Sequence, residues 1–260
     1  MIDVLVSGAA GRMGREVVRA LTAAEGIRIV AAVDPGHDGN AVDDGAGGEV
    51  PCTGDLASAI TAVQPTVMVD FTHPDAVEDN LRTALAAGVH CVVGTTGIGE
   101  ETLLELSQAA PQTCLFVAPN FAIGAVLMMR FAQEAARFMP HAEIVELHHD
   151  RKADSPSGTA LRTASLIAAA RHTVPAAPGP ETELARGARG ALVDNVRVHS
   201  VRLPGLVAHQ EVIFGGEGQT LTLRHDSIDR TSFMPGVILA VREVVSRTGL
   251  VIGLENLMDA

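Results

Sequence analysis

Over the first 120 residues, short apolar runs alternate with longer stretches of helical spacing. "IDVLVSG" is apolar apart from Asp3 and stops at a glycine, the pattern of a strand buried on both faces. Gly14 to Ala24 then carries Val17, Val18 and Leu21 on one helical face. "IRIVAAVD", "TVMVDF", "VHCVVG" and "TCLFVA" repeat the strand pattern, with helices predicted at "PDAVEDNLRTALAAG" and "GEETLLELSQAA". Pro74 suits a helix start and Gly88 a helix end. Such alternation predicts an α/β domain, a parallel sheet with helices on both faces.

After Asn120 the rhythm changes. A helix is expected from about Ile123 to Phe138, then a strand at "AEIVELHH" and a helix from Ser157 or Gly158 to about Arg171. Residues 173–190 are rich in Pro, Gly and Ala without a period and read as a loop. "VRVHSVRL", "AHQEVIFG" and "QTLTLRHDS" follow with no helix between them, which predicts an antiparallel meander. The Gly215-Gly216-Glu217-Gly218 turn should close one hairpin of it. "FMPGVILAVREVV" is expected as a last helix returning to the first sheet. Two domains result: 1–121 with 232–260, and a smaller α+β domain over 122–231 with a mainly antiparallel sheet. Hinges are expected near Asn120 to Ala122 and Thr231 to Phe233, and the open meander face is a candidate assembly surface.

Composition narrows the function classes. The net charge of −12 argues against nucleic-acid or anionic-membrane binding, both of which need a basic face. The longest plainly apolar run, Ala122 to Met129, falls far short of the roughly 20 residues that span a bilayer. Three scattered cysteines, Cys52, Cys91 and Cys114, fit neither a disulfide framework nor a metal site. A cytoplasmic protein is expected. With no Trp and no Tyr, ligands must be held by charge, backbone amides and aliphatic walls.

Gly8, Gly11 and Gly14 follow the first strand and open the first helix in a G-x-x-G-x-x-G spacing. Glycines there allow a tight turn and close approach of a pyrophosphate to helix-end amides. Asp34 ends the second strand 20 residues after Gly14, where a dinucleotide fold places the carboxylate that binds ribose hydroxyls. A carboxylate followed by Pro35 and Gly36 predicts NADH as the preferred cofactor, with NADPH also accepted. "VVGTTG" and "VAPNFAIG" follow later strands of the same sheet, so Gly94, Thr95, Thr96, Ala118, Asn120 and Phe121 are expected near the nicotinamide.

The second concentration of chemistry is "ELHHDRKADSPSGTA", Glu146 to Ala160. His148 and His149 end a strand, and Lys152 lies where the chain can curl back. Ser157, Gly158 and Thr159 would present amides at a helix start, an anion site suited to a carboxylate. Lys152 adds positive charge and a transferable proton, and histidine titrates near neutrality. Taken singly, these features are a helix cap and a solvated loop. Their meeting at one strand–helix junction points to a substrate site for hydride transfer.

"GAAGRMG", "DFTHP", "VVGTTG", "APNFAIG" and "ELHHDRKADSPSGTA" occur in the order found in dihydrodipicolinate reductases, which the chain resembles over essentially its whole length. The resemblance implies a two-domain, Rossmann-type NAD(P)H enzyme of lysine and diaminopimelate synthesis. It also implies a small dicarboxylate substrate and a homotetramer assembled through the second domain's sheets. It assigns proton donation and acceptance to His148, and proton delivery to the substrate nitrogen to Lys152. Substrate carboxylate contacts fall to His149, Gly158 and Thr159. Cofactor contacts fall to Gly8, Ala9, Ala10, Gly11, Arg12, Met13, Asp34, Gly94, Thr95, Thr96, Ala118, Pro119, Asn120 and Phe121. Two positions depart from the pattern: Pro35 replaces an arginine found in some members, and Ala10 replaces a frequent glycine. Two other readings stay open on the residues alone: a dehydrogenase of the same build with another substrate, and a nicotinamide-binding sensor without chemistry.

Overall fold

The computed structural model describes residues 1–174 and 182–258. Of the loop expected over 173–190, residues 175–181 therefore lie outside the described residues; 183–190 form bends and turns in which Glu183 accepts from the Gly187 and Arg189 amides. Contacts divide the chain into two compact units, 1–123 with 230–260, and 124–229.

The first unit opens with β1 (Ile2–Ser7), α1 (Arg12–Ala23) and β2 (Ile27–Val33). A hairpin of β3 (Ala41–Asp43) and β4 (Glu49–Thr53) follows, then α2 (Leu56–Val63), β5 (Val67–Asp70), α3 (Pro74–Ala86) and β6 (His90–Val93). The unit continues with α4 (Glu100–Ala109) and β7 (Cys114–Val117). With a late strand, β13 (Gly249–Ile252), the sheet has eight strands in the order β13-β7-β6-β5-β1-β2-β4-β3, and only the β3–β4 pair is antiparallel. Its centre, β4-β2-β1-β5-β6-β7, is the doubly wound dinucleotide-binding order, with the switch point between β1 and β5. Leu5, Met68, Cys91 and Leu115 pack one face against α2, α3 and α4, and α1 pairs with the late helix on the other. Strands buried on both faces explain the continuous apolar runs.

The second unit contains most of α5 (Ile123–Ala136), then β8 (His141–His148), α6 (Gly158–Ala170), β9 (Ala191–Val193), β10 (Val196–Arg202), β11 (Ala208–Gly216) and β12 (Gln219–Ser227). α7 (Met234–Val244) and β13 (Gly249–Ile252) return to the first unit, where α7 packs on β5, β6 and β7.

One expectation is corrected, and several elements go beyond those expected. The last three long strands do not form a meander: the order is β12-β11-β8-β10-β9, and β8 lies between β10 and β11. β8 pairs parallel to β10, because α6 makes a crossover between them and packs on both. The stretch after Asp34 is ordered structure. A 3₁₀ turn over Pro35–His37 leads into the β3–β4 hairpin, with Asp34, Asp38, Asp43 and Asp44 accepting from backbone amides in and around it. Four short strands, β3, β4, β9 and β13, and the short helix α2 had no sequence signal strong enough to be expected. The β11–β12 hairpin does close at Glu217-Gly218, with Gly218 at φ +69°.

Candidate functional site

In the first unit the loop after β1 is built around close backbone approaches. Gly8 sits at φ +77°, and a Cβ there would lie 2.5 Å from the Phe71 carbonyl oxygen. A Cβ on Gly14 would lie 2.0 Å from the Gly8 carbonyl oxygen. Gly11 caps α1 with no side chain over the helix end, so the first-turn amides of Arg12 and Met13 face outward. Ala9 is fully buried, while Gly11 and Arg12 are exposed.

Asp34 closes this loop from β2. Its Oδ2 accepts from the Ala10 amide at 3.1 Å and its Oδ1 from the Gly36 amide at 3.0 Å. Arg15 donates from Nε to the Ala10 carbonyl at 2.8 Å, so an exposed cation also borders the loop. A cavity of about 360 Å³ opens at the switch point, lined among others by Ser7, Gly8, Gly11, Asp34, Phe71 and Thr72. The residues fit a dinucleotide: a cradle that any side chain at Gly8 would obstruct, uncapped amides, and a carboxylate on the same cavity.

The other expected cofactor positions divide into two kinds. Thr96 and Pro119 are exposed. Thr95 is buried, and its hydroxyl donates to Asp70 at 2.8 Å while accepting the Thr72 amide at 2.8 Å. Gly94 has no space for a side chain, since a Cβ would lie 2.0 Å from the Phe71 ring. Ala118 is buried, Asn120 accepts the Ala122 amide at 2.9 Å, and Phe121 is 2% exposed against Phe71 and Phe116. Thr95 and Phe121 thus hold their loops in place, and none of the residues in 94–96 or 118–121 lines the cavity. Sequence reasoning missed the centre of this arrangement. Asp70, fully buried, accepts from the Thr72 amide and hydroxyl, the Thr95 hydroxyl and Asn80. The available signal was a carboxylate ending an otherwise apolar strand.

In the second unit, β8 ends at His148, and the chain turns back so that the Lys152 amide donates to the His149 carbonyl at 3.2 Å. Lys152 Nζ lies 2.8 Å from both Asp154 oxygens. Its hydrogen bond holds the Asp154 carboxyl below the usual aspartate range. His149 Nδ1 is buried with no hydrogen-bond partner in the structure. Ser157 caps α6, its Oγ accepting from the Ala160 amide at 3.2 Å, a contact worth about 1 kcal/mol. Gly158 and Thr159 begin the helix, and nothing lies within 4 Å of a Cβ built on Gly158. Gly158 is exposed at the helix start, while the Ala160 amide is taken by Ser157 Oγ and the Ser157 amide by Glu146.

Beneath these groups is Glu146, fully buried in the face of β8 that α6 covers. Its Oε2 lies 2.5 Å from His148 Nδ1 and 2.8 Å from Arg202 Nη1. Its Oε1 accepts from Arg202 Nη2 at 2.8 Å and the Ser157 amide at 3.3 Å. Burial alone would raise the Glu146 pKa; hydrogen bonds from Arg202, then Ser200 and His148, outweigh it and hold it below the ordinary value. His148 moves down as well: burial leads, Lys152 and Arg202 add to it, and Glu146 opposes. Neither Glu146 nor Arg202 was singled out in the sequence. Charged residues within apolar strands, two positions from His148 and opposite it on β10, were the signal.

Residues 2–121 match the family model for the N-terminus of dihydrodipicolinate reductase. Residues 124–258 match the model for its C-terminus. The chain is 54% identical over 265 residues to the 4-hydroxy-tetrahydrodipicolinate reductase of Moorella thermoacetica, covering 99% of this chain and 98% of that one. It is 50% identical over 260 residues to the protein of the same name from Syntrophomonas wolfei, covering 98% of each. A dipicolinate-bound dihydrodipicolinate reductase from a Paenisporosarcina species superposes with a TM-score of 0.87 at 45% identity, over 98% of this chain and 99% of that one. An amine dehydrogenase from Mycobacterium smegmatis shares the fold alone, with a TM-score of 0.65 at 15% identity. The chain belongs to the dihydrodipicolinate reductase family.

Proposed function

We infer that this chain is an NAD(P)H-dependent oxidoreductase that reduces 4-hydroxy-tetrahydrodipicolinate to tetrahydrodipicolinate in lysine and diaminopimelate synthesis. The observation that carries this is full-length similarity to reductases of that name, together with the joining of His148 and the Ser157 cap of α6 through Glu146.

Gly8 to Met13 and Asp34 would hold NAD(P)H, which when bound would supply a hydride for the substrate's C=N carbon. Gly94 to Thr96 and Ala118 to Phe121 shape the nicotinamide end, mostly through backbone. The first-turn amides of α6 at Gly158 and Thr159, with His149, take a substrate carboxylate and orient the ring within the second unit. Reduction makes the ring nitrogen basic, and Lys152 Nζ delivers its proton. His148, neutral when its pKa lies below the ordinary 6.5, offers Nε2 as an acceptor beside that step.

Asp34 supports NADH as the preferred donor, since its carboxylate would repel a 2′-phosphate. Arg15 on the Ala10 carbonyl leaves NADPH usable. The sheet face of the second unit opposite α6, with Val145, Leu147 and Ile213 half-buried, supports assembly as a homotetramer. Among the described residues no helix is long and apolar enough to cross a membrane, which accords with a cytoplasmic enzyme. The test is oxidation of NADH and NADPH with freshly made dihydrodipicolinate synthase product. Turnover supports the reductase; cofactor binding without turnover supports a sensor.

A further inference from the structure

Glu146 carries more than an ion pair needs. Both of its oxygens are occupied, and they reach three different parts of the second unit. Oε2 meets the ring that ends β8. Oε1 meets the amide of Ser157, the residue that caps α6. Arg202 bridges both oxygens from β10 and also donates to the Asp154 carbonyl at 2.7 Å, which anchors the turn carrying Lys152. One buried carboxylate thus ties the histidine, the helix-end amides and the lysine turn to a common point.

A carboxylate only accepts, so a contact of 2.5 Å requires the hydrogen on His148 Nδ1. We propose that Glu146 is a positioning residue that fixes His148 as the Nδ1–H tautomer, Nε2 unprotonated, and registers that ring against the Ser157–Thr159 cradle. His148 then works from its neutral form as an acceptor at Nε2, which narrows the donor-and-acceptor role expected from the sequence. The charged groups facing the ring are Glu146 on β8, Lys152 in the following turn and Arg202 on β10. β11 places Ala208 opposite it, and the first turn of α6 has no acidic residue. Two cations and one anion, with half-burial, favour the neutral ring. The catalytic part of this proposal rests on the reading of His148 given above; the tautomer does not.

The test uses the full-length protein labelled with ¹⁵N-histidine, with His148→Gln to assign the ring. Wild type at neutral pH should show Nδ1 protonated and Nε2 bare. Glu146→Gln should mix the tautomers and lower kcat about 10–100-fold, as loss of a group orienting a functional histidine does. It should also move the acid limb of kcat/KM to lower pH, because the anion favouring the charged ring is gone. Glu146→Asp should restore the limb and part of kcat. A purely structural glutamate would lower activity without moving the limb or the tautomer, and that result overturns the proposal. If Glu146→Gln does not fold, the wild-type spectrum decides: an Nε2–H ring overturns the positioning claim. Wild-type turnover in His148→Gln overturns the function given to His148, and with it the catalytic half.

Discussion

Asp34 Oδ2 accepts the Ala10 amide at 3.1 Å, so the carboxylate ending β2 and the glycine loop ending β1 form one structural unit. If Asp34 takes a ribose and the loop a pyrophosphate, as proposed, this contact couples the two positions. Asp34→Asn keeps the shape and removes the charge. The ratio of kcat/KM for NADH over NADPH should fall about 10-fold or more, the loss of a charge-assisted hydrogen bond of about 1.5–3 kcal/mol. An unchanged ratio contradicts the role given to Asp34.

Gly14 and Gly158 open two helices and should respond in opposite ways. Ala at Gly14 forces a Cβ to within 2.0 Å of the Gly8 carbonyl oxygen. Overpacking of this kind costs about 3 kcal/mol, and Tm should drop by about 6–12 °C. Ala at Gly158 meets nothing within 4 Å, so Tm should hold or rise. If the α6 start takes a carboxylate, the same methyl should weaken dipicolinate binding about tenfold, or about 1.4 kcal/mol, by calorimetry.

His90 Nδ1 accepts the Cys114 amide at 3.0 Å, a bond that only the neutral ring can make. Burial holds its pKa below the ordinary 6.5. Burial lowers His148 and His225 in the same way. A depressed histidine stabilises the fold above its unfolded pKa, and that contribution is lost as pH falls below 6.5. Unfolding free energy from denaturant titrations should decline below that pH, by at most about 1.4 kcal/mol per unit for each histidine. His90→Asn keeps an acceptor and should flatten the slope; an identical slope removes His90 from the explanation.

Much of this was legible in residue order. Continuous apolar strands, the glycine spacing and Asp34 mark the first unit. The expected start at Ser157 or Gly158 is met: α6 begins at Gly158 with Ser157 as its cap. Pairing was less legible, because which strand lies beside which is a tertiary choice. β10, β11 and β12 are neighbours in sequence, yet β8 separates β10 from β11, since α6 carries the chain across and Glu146 takes Arg202 as its partner. Glycines after Asp34 concealed the β3–β4 hairpin, which is held by aspartates accepting backbone amides rather than by apolar alternation. Glu146 and Asp70 lie in predicted strands, but spacing alone gave neither a role. Burial turns each into a fixed point of its own unit.

The central claim is that Lys152, in the turn between β8 and α6, delivers a proton to the reduced ring. The most direct measurement is steady-state NADH oxidation by Lys152→Ala with freshly generated substrate, paired with dipicolinate binding by calorimetry. The expected result is a fall in kcat of about 10²–10⁴, as for a lost general acid, while dipicolinate still binds at the α6 cradle. Turnover by Lys152→Ala within a few-fold of the unaltered chain contradicts the account.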